Sequence, residues 1–361
     1  MKSVYISRTD FKKGLTSFLE KKWDIYAPFS NAVRQDGTAD SILFERVCDP
    51  SCLDSIVFDS IRPDQPIKSF FFYTKEKVST LTKSSIDPVK FKKRILVGVS
   101  GCDLKALKVF DKAYYEEGTV PEPFYKARRE STYIISSDCG SFLDSCFCTL
   151  LGGKPYAQDG FDLNLSCIGD GFVVEVGSEK GEELLSEMKK VGATIHDASS
   201  IRLEEQEKKR KDLTKKLENA NKEFDVPEKF DELCKVAFDS EVWKNLADSK
   251  CVQCNGCLNI CPTCYCFLLY DKKKNDVSER IRIWDACINA GYARVAGGAT
   301  PRPTLQSRLR HRFFHKFLYF VQNFDMFACS GCGRCAMVCP GKIEIRGTFK
   351  DIHKEKAGKK G

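Results

Sequence analysis

The apolar positions of this chain change their period from segment to segment. RILVGVS (94–100), TYIIS (132–136) and GFVVEVGS (171–178) are short, rich in β-branched residues and closed by Ser, and FFFYT (70–74) is a comparable aromatic run; all four predict strands. Between them lie DFKKGLTSFLEKKW (10–23) and EKGEELLSEMKKVGA (179–193), whose apolar residues return every three or four positions, as on one face of a helix. Strands alternating with helices predict an α/β domain over 1–200. The apolar stripe then fades. Glu204 to Phe224 mixes Glu and Lys at helical spacing, so 201–247 reads as a charged helical linker, solvated and supported by i,i+4 ion pairs. Cysteine governs the remainder, 248–361, which predicts a helix-rich, ferredoxin-like dicluster domain; the fold class is α/β or α+β followed by that domain.

With 361 residues, 42% hydrophobic and 11% aromatic, the chain is long enough for two or three domains and too apolar to be disordered. Its 58 basic and 50 acidic residues leave a net charge of +8, a mild bias without a nucleic-acid signature. No signal-peptide core and no apolar run of membrane-spanning length is seen, so the expectation is a cytoplasmic protein with no membrane span. Nineteen cysteines in that setting predict metal binding rather than disulfides.

Cys251, Cys254, Cys257 and Cys261 follow C-x2-C-x2-C-x3-C, closed by Pro262; Cys329, Cys332, Cys335 and Cys339 repeat the run, closed by Pro340. This spacing holds [4Fe-4S] cubanes in two-cluster ferredoxins, where the last cysteine of each run ligates the other cluster. Three closely spaced thiolates wrap a cubane, Gly256, Gly331 and Gly333 keep Cβ atoms out of the wrap, and proline ends it. The predicted ligand sets are therefore Cys251, Cys254, Cys257 and Cys339 for one cluster, and Cys329, Cys332, Cys335 and Cys261 for the other. A zinc ribbon, the competing reading, would instead pair cysteine doublets a dozen or more residues apart. The long, basic insert between the runs departs from a small ferredoxin and is expected to be helical.

Cys102, Cys139, Cys146 and Cys148 form a quieter group. Cys102 and Cys139 each follow a predicted strand, and parallel neighbouring strands would bring those ends together as a candidate third metal site. The competing reading is four small buried side chains, with Gly101 at a turn and Asp103 as a helix N-cap. Cys264, Cys266 and Cys287 are candidate ligands of a further cluster whose fourth ligand is unassigned, or soft side chains packed beside the two clusters. Cys48, Cys52, Cys167 and Cys234 are isolated and read as packing residues. Pro301 to Lys316 is either a row of cations that neutralises the clusters and steers an acidic partner, or a solvated helix face with Phe313 and Phe314 turned inward. His311 and His315 lie four apart without a carboxylate and are not assigned as ligands. AGGATPRP (296–303) lacks the G-x-G-x-x-G order, so no nucleotide site is expected there.

PIKSFFFYTKEKV, GVSGCDLKALKVFDKAYY, RRESTYIISSDC, SCFCTLLGGKPYAQDGFDLNL, CVQCNGCLNICPTCYCF, WDAC, AGGATPRP, RLRHRFFHK and CSGCGRCAMVCP occur in this order over almost the whole chain outside the charged helix. In these stretches the chain resembles the family that joins the iron-sulfur subunit of anaerobic sulfite reductase with the beta subunit of cytosolic sulfhydrogenase, a nickel-iron hydrogenase. The resemblance implies an electron-transfer protein with an FAD-containing, NAD(P)H-oxidising subunit on one side and a terminal catalytic subunit carrying siroheme or nickel-iron on the other. It also adds weight to the third site. The sulfite-reducing branch stands first in this reading and the hydrogenase branch second; a zinc-binding or redox-sensing module is the alternative of a different class. Such a relay needs no catalytic acid or nucleophile, and none is assigned.

Overall fold

The computed structural model describes residues 2–33, 40–80, 91–116, 122–274 and 277–358. The first part of the chain runs β1 (Ser3–Ser7), α1 (Arg8–Glu20), β2 (Asp24–Val33), β3 (Asp40–Arg46), α2 (Lys68–Phe71), β4 (Lys75–Thr80), β5 (Arg94–Val99), α3 (Gly101–Tyr114), α4 (Pro123–Ser131), β6 (Thr132–Ser137), β7 (Leu163–Ile168), β8 (Gly171–Val176), α5 (Glu179–Lys190) and β9 (Ile195–Asp197). Helices α6 (Ser200–Asn221), α7 (Phe230–Val236) and α8 (Glu241–Ser249) follow. The cysteine-rich part contains α9 (Gly256–Asn259), β10 (Phe267–Lys274), β11 (Val277–Trp284), α10 (Leu305–Phe314), a π-helical turn (His315–Tyr319), α11 (Phe320–Phe324), α12 (Arg334–Met337) and α13 (Ile345–Gly358).

Eight strands form one sheet in the order β3-β2-β5-β6-β7-β8-β1-β9, parallel from β2 to β7 and antiparallel at its flanks. Both faces of the parallel centre are covered, which is why β5 and β6 read as unbroken apolar runs. Phe11, Leu15 and Phe18 of α1 and Leu184, Leu185 and Met188 of α5 pack on one face. Leu104, Leu107 and Phe110 of α3 pack on the other. Ser7 and Ser178 cap α1 and α5, accepting from the Asp10 and Gly181 amides.

Three expectations change. FFFYT is not a strand: Phe70 and Phe71 close the helical turn α2, and Phe70, Phe71 and Phe72 are buried with α3, because a short apolar run suits a buried helical turn as well as a strand. The strand that follows, β4, joins β10 and β11 in a separate sheet of order β10-β11-β4, so the insert between the cysteine runs begins as a hairpin rather than a helix. Glu76 of β4 sits opposite Arg282 of β11, with an ion-pair distance of 2.6 Å, and stitches the two halves of the chain together.

The third change concerns α6. Its outer face carries the expected Glu205–Lys209 and Glu207–Lys211 pairs, but a stripe formed by Gln206, Arg210, Thr214, Leu217 and Asn221 lies against the protein rather than in solvent. Arg210 bonds Asp138 at 2.7 Å and also pairs with Glu175. The Asn221 amide donates to the Cys146 carbonyl at 2.9 Å and accepts from Arg346 at 2.7 Å. The helix is a strut from the sheet to the cysteines. A second core gathers Phe230, Trp243, Phe313, Phe317 and Phe349 with Phe147 and Leu151 from the first half of the chain. Among the described residues, no helix is long and apolar enough to cross a membrane.

Candidate metal centre

The two cysteine runs fold into the same local shape. Gln253 and Asn255 in the first run have φ of 55° and 60°, and Gly331 and Gly333, at the corresponding places in the second, have φ of 69° and 72°. Each run then enters one helical turn, α9 or α12, from its left-handed residue. Alternating handedness curls the backbone around a space and points successive cysteines into it. In the first run this job falls to Gln253 and Asn255 and not to Gly256, which has no left-handed φ and was the residue expected to relieve the wrap.

Cys251, Cys254, Cys257 and Cys339 line one cavity, together with Ile288, Leu309, Ile343 and Arg312. Cys339 arrives there because the turn after it lies against the start of the first run: a Cβ on Gly341 would stand 2.0 Å from the Lys250 carbonyl oxygen. Cys261, at the end of the first run, is an electrostatic neighbour of Cys329 and Cys335 in the second. Burial pushes Cys335 and Cys329 up, Cys329 to about 12, so these thiols need a cationic or metal partner to ionise.

That partner charge comes from a row the sequence left undecided. Arg308, Arg312 and Lys316 recur every fourth residue through α10 and the π-turn, and none is more than 6% exposed. The solvated-face reading fails for this row; Phe313 and Phe314 are buried as well. Arg308 donates to the carbonyls of Ile288 and Pro303, each at 2.7 Å, which makes AGGATPRP an acceptor for this arginine. Burial opposes the charge of Arg312, but Cys257, Cys335, Cys264 and Cys261 surround it and hold its pKa above the ordinary arginine value. Lys316 bonds Thr263 Oγ1 at 2.7 Å and the Ala328 carbonyl at 3.1 Å, with Cys261 Sγ at 3.5 Å. Burial works against its charge too, and Cys261, Cys264 and Cys329 reverse the effect. A fourth cation, Lys68 of α2, is invisible from spacing because it comes from the other half of the chain. It donates to the carbonyls of Leu258 and Cys264, both at 3.3 Å, and lies 4.0 Å from the centre of the Trp284 ring.

Of Cys264, Cys266 and Cys287, the last two are paired with each other and Cys264 is paired with Cys261. Cys264 hydrogen bonds to Cys261, and that bond, helped by Lys316 and Lys68, brings Cys261 well below the usual thiol range despite burial. Cys266 bonds Cys287 and Tyr292 and falls to about 6, chiefly through Cys287. His311 and His315 stack on each other with ring centres 6.0 Å apart, and His315 Nε2 meets the Tyr265 hydroxyl at 3.3 Å.

The ends of β5 and β6 lie side by side and deliver Cys102 and Cys139. Cys139 is an electrostatic neighbour of Cys146 and Cys148, and Cys102 of Cys139 and Cys332. Burial raises Cys102, Cys139 and Cys148, the last to about 12. This group abuts the second run. The Phe147 amide donates to the Gly331 carbonyl at 2.8 Å, and a Cβ on Gly331 would stand 2.5 Å from Cys148 Cα. Asp103 is no N-cap: Ser100 holds that place, and Asp103 sits inside α3, fully buried, in a two-pronged ion pair with Arg334 of α12 at 2.7 and 2.8 Å. Arg62 adds a bond to the Cys332 carbonyl at 2.5 Å. Of the cysteines read as packing residues, Cys167 and Cys234 are buried and Cys52 half-buried, but Cys48, two residues past the end of β3, is exposed.

Among the described residues no three or more His, Cys, Asp or Glu are set to hold a single metal ion. The thiols of Cys251, Cys254, Cys257 and Cys339 surround a cavity, as a four-iron cubane requires. The hydroxyls of Ser145 and Thr149, beside Cys146 and Cys148, are buried with no hydrogen-bond partner, which suits donors that face cluster sulfur. The donor set, the glycine-lined approach at Gly331 and the buried cations fit [4Fe-4S] clusters.

Comparison with known proteins agrees with this chemistry. Residues 250–343 match the 4Fe-4S dicluster domain family. Sulfhydrogenase 2 subunit beta of Pyrococcus furiosus is 35% identical over 303 residues, spanning 83% of this chain and 86% of the relative. The chain is an iron-sulfur electron-transfer subunit, and it belongs to the sulfhydrogenase beta-subunit family of [4Fe-4S] dicluster proteins.

Proposed function

We propose that this chain relays electrons inside a sulfhydrogenase-type complex, between an FAD-containing subunit that exchanges hydride with NAD(P)H and a nickel-iron catalytic subunit. The observation that carries the reading is the pair of matched cysteine wraps with a buried cation row between them. The likeness to a sulfhydrogenase beta chain supports the hydrogenase branch over the siroheme branch, which stood first on sequence although no motif separates the two. The proposed ligand sets are Cys251, Cys254, Cys257 and Cys339, and Cys329, Cys332, Cys335 and Cys261, with Cys102, Cys139, Cys146 and Cys148 holding a third centre.

When bound, the clusters supply one-electron valence changes, so the protein needs no acid, base or nucleophile. Arg312 and Lys316 favour the reduced state by lying among the thiolates. Ile288, Leu309 and Ile343 keep water from the first centre. Its rim is the exposed Cys254 with exposed Val252 and Val338 nearby, an apolar edge suited to a docked partner. The N-terminal cysteines form the other end of the path, beyond the buried second run.

Anaerobically purified chain is expected to carry about eight irons, or about twelve with the third centre filled, and Cys254→Ser to lose about four. Unchanged iron in that variant removes the first ligand set. Assembled with its partner subunits, the chain should be reduced by dihydrogen; a complex inert to dihydrogen whose reduced clusters are oxidised by sulfite would overturn the hydrogenase branch.

A further inference from the structure

A cleft of about 480 Å³ opens between α3, the Gly152–Lys154 loop and Ser330. Lys105, Lys108 and Lys112, one helical face of α3, form one wall, and Lys154 stands on the loop. Two of these cations are matched: Lys108 lies 2.6 Å from Asp159, and Lys112 pairs with Glu116. The other two have no carboxylate partner among the described residues; the Lys105 ammonium donates to the Leu151 carbonyl at 2.9 Å. At the floor, Ser330 is 2% exposed and its hydroxyl has no hydrogen-bond partner. The first residue of α3, Gly101, lines the same cleft, and the Ser100 hydroxyl bonds Asp103 instead of capping the helix amides.

Two ammonium groups without a carboxylate partner, of which Lys105 also has Cys329 and Cys148 as electrostatic neighbours, an unsatisfied buried hydroxyl and the positive end of a 14-residue helix all address one space. A carboxylate has too few acceptor positions for two lysines, a hydroxyl and helix amides together, whereas a tetrahedral oxyanion has three or four oxygens to present. The volume exceeds that of an oxyanion alone and lies in the range of sites for nucleotide-sized ligands.

We propose that this cleft binds the phosphate group of a phosphomonoester of nucleotide size, held by Lys105, Lys154, Ser330 and the first turn of α3, next to Cys102 and Cys148. The site adds a ligand-binding function to a chain otherwise read as a pure relay. It places a dianion against the N-terminal cysteines, where occupancy lowers the potential of any centre they hold. Binding itself does not depend on that centre.

The test is anaerobic calorimetry on the intact chain with inorganic phosphate and adenosine monophosphate as probes and adenosine as control, with iron counted in every sample. Both phosphate probes should bind and adenosine should not. Lys105→Ala and Lys154→Ala should each weaken binding roughly tenfold or more, with iron unchanged. Lys235→Ala, on α7 and remote from the cleft, should leave the affinity as it is. Cys139→Ser, which does not line the cleft, separates the two ideas: lost iron with phosphate affinity retained means that the third centre and the anion site are distinct. No binding up to about 10 mM in a sample with full iron, or binding indifferent to both lysine variants, overturns the proposal.

Discussion

Arg312→Met isolates the buried cation row. Arg312 is 4% exposed, and its electrostatic neighbours are Cys257 of the proposed first centre together with Cys335 and Cys261 of the proposed second. Methionine fills a similar volume without the charge. A unit charge about 7 Å from a cluster, at an effective dielectric constant of about 20, is worth about 2.4 kcal/mol, or about 100 mV for one electron. Reduction adds negative charge, so the cation raises the potential and its loss should lower both potentials by an amount of that order. EPR-monitored redox titration under anaerobic conditions reads the shift, and full iron content in the variant shows that the ligand sets are intact. Arg312→Lys keeps the charge and should restore most of the potential. Arg310→Met is the control, since Arg310 donates to the Phe238 carbonyl at the outer side of the helix. The reasoning is refuted if Arg312→Met with full iron moves neither potential by more than about 20 mV, or if Arg310→Met moves them equally.

Asp103→Asn leaves Arg334 charged and unmatched in the interior and should destabilise the chain by about 3–5 kcal/mol; denaturant unfolding checks this, and adding Arg334→Met should recover part of the loss. Gly331→Ala puts a Cβ 2.5 Å from Cys148 Cα at φ +69°, and should strip iron from the second centre and lower the melting temperature. Asn255→Gly, at φ 60° in the first run, should be tolerated, because glycine accepts that conformation freely. Burial, with Arg302, holds His311 down to about 4, and burial, with Lys316, His311 and Arg302, does the same for His315. Both are depressed below the ordinary value of 6.5, so the unfolded chain binds protons first. The stability they confer is complete above about pH 6.5 and is lost as pH falls from there towards 4. Imidazole proton shifts still at neutral-ring values at pH 5 would bear this out, and midpoints near 6.5 would refute it.

Three of the eight strands of the sheet, β5, β6 and β8, and the helices α1 and α5 were legible because their periods are local. RILVGVS and TYIIS became β5 and β6, side by side and parallel, which set Cys102 beside Cys139. FFFYT misled because burial of aromatics, not strand geometry, selected those residues. Long-range pairing was illegible for a different reason. Nothing within Lys75–Thr80 says that it will pair with a hairpin two hundred residues later, and nothing near Lys68 says that its ammonium will reach the Cys264 carbonyl. The cation row was half legible. The fourfold spacing of Arg308, Arg312 and Lys316 shows that they share a face, but only packing shows which way that face turns.

A difference between the two runs carries information that spacing alone hides. Both need left-handed backbone at the same two places, yet one uses Gln253 and Asn255 and the other Gly331 and Gly333. Left-handed conformation by itself does not demand glycine, since the first run achieves it without any. What demands glycine in the second is the other half of the chain: a Cβ at Gly331 would meet Cys148 Cα at 2.5 Å, and one at Gly333 would meet the Ser145 carbonyl oxygen at 2.1 Å. In the first run the left-handed residues carry side chains instead, with Gln253 accepting from Arg308 and Asn255 donating to Asn289. The glycines therefore record which run is pressed against the N-terminal cysteines. They give the proposed relay an outer end at Cys254 and an inner end at Cys148, and the Asp103–Arg334 ion pair holds that inner junction closed.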